Sequence, residues 1–112
     1  MRKYQELSLE QIIEQVRLNK LVSDNFCLYA KEYGELRINS LYWVSDYLDV
    51  VEDSDIYPTD VVERDLQLVY YGEQLLDVLS VALEEKSDAS PQDLVEALKY
   101  YHQHDTFLPF DN

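Results

Sequence analysis

The sequence predicts an α+β fold, mostly helical, with about four helices packed on a short β-hairpin around a single core. Three observations carry that expectation. Ser8 and Ser90 each open a segment of helical periodicity with the residues of an N-terminal cap. From Glu73 to Glu85, Leu75, Leu76, Val78, Leu79, Ala82 and Leu83 form one broad apolar face. Between Phe26 and Val44 the apolar and aromatic residues lack that period and bracket Gly34. A length of 112 residues fits one domain, residues 1–112. At this size a chain buries about two-thirds of its unfolded surface, so most of its apolar content is needed inside.

The elements run in order along the chain. Ser8-Leu9-Glu10-Gln11 reads as a capping box, with Leu9, Ile12, Ile13 and Val16 on one face of a helix that runs to about Lys20. Arg17 and Lys20 lie near its C-terminal end, where positive charge suits the helix dipole. Phe26–Ala30 and Arg37–Val44 are strand-like, and Glu32-Tyr33-Gly34-Glu35 is the turn between them. Two strands alone are marginal in water, so helices must cover one face. Thr59 caps a short helix through Val61, Val62 and Leu66, and Gly72 punctuates that stretch. Glu73–Glu85 is the central core helix. Ser90 caps the last helix with Pro91 at its first position, and Leu94, Val95, Leu98 and Tyr101 form its buried stripe. The apolar tail Phe107-Leu108-Pro109-Phe110 packs back on the domain.

Composition limits the function. Twenty-three acidic residues face nine basic ones, for a formal net charge of −14. Nucleic acid and anionic membranes repel such a chain, whereas a basic protein is attracted to it. Cys27 is the only cysteine, which excludes an intrachain disulfide and a cysteine metal cluster. No apolar run follows the basic start Met1-Arg2-Lys3, and no stretch reaches the ~20 apolar residues of a membrane helix, so the expected compartment is the cytoplasm. The chain offers no nucleophile elbow and no histidine beside Cys27. Its two glycines cannot build a phosphate loop. With this many acids, no carboxylate pair stands out as a general acid and base. The expectation is a binding protein with no cofactor, not an enzyme.

Two clusters invite a metal reading, and both fail it. His102 and His104 are two residues apart and do not share a helix face; His102 and Asp105 do, but two ligands are too few for a closed zinc site. Counting an EF-hand loop from Asp49 puts Val51 third, Ser54 sixth and Asp60 twelfth, which lacks the required ligand, glycine and glutamate. The histidines are instead assigned to the positive end-charge of the last helix.

The aromatic residues supply the candidate site. Ten tyrosines stand in the chain. Tyr29, Tyr42, Trp43 and Tyr101 are assigned to the core. Tyr47 and Tyr57 bracket an acidic segment, and a tyrosine can stack on an arginine whose guanidinium a carboxylate pairs. Asp46, Tyr47, Asp49, Glu52, Asp53, Asp55 and Tyr57 are therefore the expected partner-binding residues, with a solvated loop beside core aromatics as the alternative reading.

A capped N-terminal helix, then Cys27-Leu28-Tyr29, Leu41-Tyr42-Trp43-Val44-Ser45-Asp46, an acidic run, Pro58, Val62-Glu63 and two closing amphipathic helices make a layout over residues 8–110. That layout resembles small acidic bacterial proteins, some of which are immunity proteins of contact-dependent growth inhibition and related polymorphic toxin systems. The resemblance implies a cytoplasmic protein that binds one cognate basic toxin domain, often a nuclease, and blocks its active or substrate-binding surface. It assigns no individual residue. The alternatives are an acidic regulatory or adaptor protein, and a nucleic-acid mimic that inhibits a host DNA- or RNA-binding protein.

Overall fold

A computed structural model describes residues 3–18, 25–31 and 36–109. In chain order the elements are β1 (Gln5–Ser8), α1 (Leu9–Arg17), β2 (Cys27–Ala30), β3 (Leu41–Ser45), β4 (Asp49–Val51), β5 (Ser54–Ile56), α2 (Thr59–Glu63), β6 (Gln67–Tyr71), α3 (Gly72–Glu85) and α4 (Pro91–His104).

Ser8 ends one element and starts the next. Its side chain accepts from the Gln11 amide, and the Ser8 amide donates to Gln11 Oε1, so the capping box is formed as the sequence predicts. The next two amides, of Leu9 and Glu10, donate to the carbonyls of Ser40 and Ile38. These would otherwise be unpaired at the helix start. Residues 38–40 are thereby turned toward α1, and β3 starts at Leu41 rather than Arg37. The helix stops at Arg17, with Leu18 as its C-cap. The expected end at Lys20 and the turn around Gly34 lie outside the described residues.

The main sheet has the order β1-β3-β2-β6, with every neighbouring pair antiparallel. Leu7 pairs with Tyr42, and Leu28 sits between Val44 and Tyr70. A bulge shifts the β2–β6 ladder: Leu28 faces Tyr70 and Tyr29 faces Leu68, which leaves Val69 as the extra residue. β4 and β5 form a separate two-stranded sheet.

This corrects the expected arrangement of helices on a single hairpin. The two strands read as that hairpin, β2 and β3, are the central pair of a four-stranded sheet. The flanking strands come from Gln5–Ser8, which carries one apolar side chain, and from Gln67–Tyr71, which directly follows a helix. The acidic segment is a second small sheet. Helix makes up 43% of the described residues and strand 25%, so the fold is not mostly helical. Pro58, not Thr59, occupies the N-cap of α2, and that helix stops before Leu66.

The single core is also two. On one face of the sheet, α1, α3 and α4 bury Ile12, Ile13, Leu75, Leu79, Leu94 and Leu98 against Leu28, Tyr42 and Val44. On the other, Cys27, Tyr29 and Val61 are buried among Trp43, Tyr47, Tyr57, Leu66, Leu68 and Tyr71. Strand alternation divides the residues: Leu28 faces the helices, while Cys27 and Tyr29 face α2. The Tyr70 hydroxyl donates to the Leu98 carbonyl at 2.7 Å, and His102 Nε2 donates to the Val69 carbonyl at 3.0 Å, joining α4 to β6. Ser90 completes a second capping box with Asp93, and Asp105 ends α4 in the left-handed region at φ 56°. His104 stacks on Tyr100. Leu108 packs against the larger core, Phe107 lies 5.3 Å from the Tyr101 ring, and Phe110 lies outside the described residues. Among the described residues no helix is long and apolar enough to cross a membrane.

The two environments separate in a stability measurement. Leu79→Ala opens a cavity in the fully buried centre of the larger core and costs about 2–5 kcal/mol. Val50→Ala, on an exposed strand, changes stability by no more than about 0.5 kcal/mol. Urea unfolding followed by circular dichroism checks both.

Candidate functional site

The site is built outward from Tyr29. Its ring is fully buried, and its hydroxyl donates to the Asp46 carbonyl at 2.6 Å. Burial pushes the phenol far above its ordinary range, so it remains a neutral donor. That bond fixes the point at which the chain leaves β3. The Asp46 side chain accepts from Lys3 Nζ at 2.7 Å and from the Tyr4 hydroxyl at 2.6 Å. These two bonds, Lys3 first, hold its carboxyl below the usual carboxylate range, while the bond to Asp46 raises the Tyr4 phenol. Asp46 is therefore a clasp between the N-terminal segment and the end of β3.

Tyr47 and Tyr57 likewise have structural work. The Tyr47 ring stacks on Tyr71 with centroids 5.8 Å apart, and its hydroxyl accepts from the Glu73 amide at 3.1 Å. Tyr71, at the N-cap of α3, has no side-chain hydrogen bond to offer the helix, so Tyr47 supplies the acceptor from another part of the chain. Tyr57 meets Tyr29 edge to face at 5.9 Å. Burial, with Asp55 second, raises the Tyr71 phenol.

Of the expected partner-binding residues, the structure brings Asp46, Tyr47, Asp49 and Tyr57 to one open cleft, together with Tyr4 and Asp60. Glu52 and Asp53 form the turn of the β4–β5 hairpin, and Asp55 lies on β5. Every residue from Asp49 to Ile56 is exposed. Glu52 and Asp53 both have positive φ, 50° and 65°, as a two-residue hairpin turn of the primed type requires. Asn-Gly is the usual sequence for such a turn, and Glu-Asp hides it.

Asp60, in the sequence only the twelfth position of a failed EF-hand loop, has a larger role. One carboxylate oxygen, Oδ2, accepts from Trp43 Nε1 at 2.7 Å and from Ser45 Oγ at 2.6 Å. Arg64 lies 3.9 Å over the Trp43 ring and donates to the Asp60 carbonyl at 3.2 Å. Together Asp60 and Arg64 pin α2 onto the sheet. Their i, i+4 spacing signals a side-chain pair, but the carboxylate reaches across to β3 and Arg64 takes the backbone carbonyl.

Cys27 is fully buried, and burial raises its thiol, which keeps it protonated. Among the described residues no group of three or more His, Cys, Asp and Glu side chains could hold a metal ion. The hairpin and the cleft present carboxylates and tyrosine rings.

Two measurements test these assignments. Asp60→Ala leaves the buried Ser45 hydroxyl and the Trp43 N–H without their acceptor and costs roughly 1–3 kcal/mol in thermal or urea unfolding. Asp46→Asn removes a carboxyl whose pKa is lower folded than unfolded. Such a group stabilises fully above its unfolded value of about 3.9, and the contribution fades as pH falls through the folded value. The side chain is partly exposed, so the variant is less stable by about 0.5 kcal/mol at pH 7. Unfolding midpoints from pH 7 to pH 2 show the two proteins converging at the acid end.

No curated protein and no solved structure matches the chain. The profile of a domain of unknown function, DUF7716, matches residues 6–110, a span that holds both cores, the acidic hairpin and all of the cleft except Tyr4. By that match the chain belongs to the DUF7716 family.

Proposed function

We propose that this chain binds a positively charged protein and, more specifically, that it is an immunity protein of the cytoplasm which neutralises a cognate basic toxin domain with nuclease activity. One observation carries the reading. The β4–β5 hairpin exposes Asp49, Glu52, Asp53 and Asp55 beside exposed Val50, Val51 and Ile56, next to a tyrosine-lined cleft. A pure solubility surface has no need of apolar side chains among its carboxylates. A binding surface uses both, the charges to steer encounter and the apolar groups to hold the complex.

The chemistry suits a nuclease. An enzyme that binds nucleic acid presents a basic groove for phosphates. A narrow acidic ribbon can enter such a groove, and Tyr57 or Tyr47 can stack on an arginine at its rim. The net charge of −14 adds long-range attraction.

The test begins with the protein encoded beside this gene. Its C-terminal domain is purified and titrated with this chain in calorimetry, and its nuclease activity is assayed alongside. The expected result is a complex that inhibits cleavage and weakens steeply between 50 and 500 mM salt, about tenfold or more. Reversing Asp49, Asp53 and Asp55 to Lys removes inhibition without unfolding the chain. No complex at low salt, or a complex that leaves cleavage unchanged, overturns the proposal.

A further inference from the structure

The β4–β5 hairpin has an unusual status in this fold. It is a sheet of two three-residue strands, and among the described residues no strand pairs with either outer edge. Val50, Val51 and Ile56 are 66%, 51% and 50% exposed. Isolated hairpins of this size are marginal in water, and a third strand is what completes them. The register determines what the edges offer. Glu52 and Asp53 join Val51 directly to Ser54, so that pair exchanges both ladder hydrogen bonds. The next pair, Val50 and Asp55, then turns its amides and carbonyls outward, one set on each edge.

The main sheet treats its edge differently. On β6 the Val69 carbonyl is taken by His102. The hairpin carries neither lysine nor proline, the residues that commonly block an edge. Its charges are all negative. They repel a second copy of the same ribbon, and they attract a strand with lysine or arginine at alternate positions. Asp49 and Val51 lie on one face of β4, and Val50 lies on the other with Asp55 beside it, so an added strand finds both charge and apolar contact.

We infer that the partner engages this hairpin by strand addition: an extended segment of basic protein, alternating cationic and β-branched residues, pairs with the outward amide and carbonyl of Val50 or Asp55. This rests on the reading that the partner is a basic protein and states how it is gripped. The interaction then depends on the backbone conformation of the ligand as well as on its charge.

Two synthetic peptides distinguish the claims. One alternates lysine and valine over ten residues. The other has the same number of lysines, each followed by two prolines, so it carries equal charge, adopts the polyproline helix and cannot form a ladder. Binding to the wild-type chain is measured by fluorescence anisotropy at low ionic strength. The expected result is that the lysine-valine peptide binds at least tenfold more tightly. Val50→Pro and Asp55→Pro each delete one outward amide, and one of the two should lower that affinity at least tenfold while the thermal transition of the domain is unchanged. Equal binding of the two peptides, or full affinity in both variants, overturns strand addition and leaves the basic-partner reading standing. If neither peptide binds, that reading falls as well.

Discussion

Three consecutive residues at the centre of the sheet determine the plan of the molecule. In β2, Cys27, Leu28 and Tyr29 are all fully buried, although successive side chains point to opposite faces. A strand of that kind must be covered on both sides. The three longer helices cover Leu28, and the segment between β3 and β6 covers Cys27 and Tyr29. The second layer exists because Tyr29 needs it, and the Tyr29 hydroxyl anchors that layer through the Asp46 carbonyl. Trp43 and Ser45 on β3 anchor it again through Asp60.

What could be read in the sequence tracks how local the causes are. The capping box expected at Ser8 and the N-cap expected at Ser90 both formed, and both rest on contacts three residues apart. The apolar stripes of α3 and α4 lie where their periodicity put them. The edge strands were not legible for the opposite reason. Gln5-Glu6-Leu7-Ser8 is a strand because β3 lies beside it, not because of its own side chains. Gln67–Tyr71 has strand composition, but it sits between α2 and α3, and only β2 reveals its role. The acidic segment hid its turn in Glu52-Asp53. The alternative reading put its two flanking tyrosines in the core, but not against particular partners, since Tyr71 and Tyr29 are remote in the chain.

The carboxylates divide by the same geometry. Asp46, Asp60 and Asp93 are committed to the fold: they clasp the N-terminal segment, pin α2 and cap α4. Their negative charge is met by Lys3, by indole and hydroxyl donors, and by Lys86. The hairpin acids Asp49, Glu52, Asp53 and Asp55 are exposed instead.

The chain leaves the main sheet after Ser45 and rejoins it at Gln67, and the hairpin is the outermost part of that excursion. Residues 49–56 include no fully buried side chain, so the stability of the domain imposes less on their identity than on that of either core. The anchors on either side, Tyr29 with Asp46 and Trp43 with Asp60, hold the excursion in place whatever its tip contains. The fold therefore tolerates substitution at the tip far better than in either core.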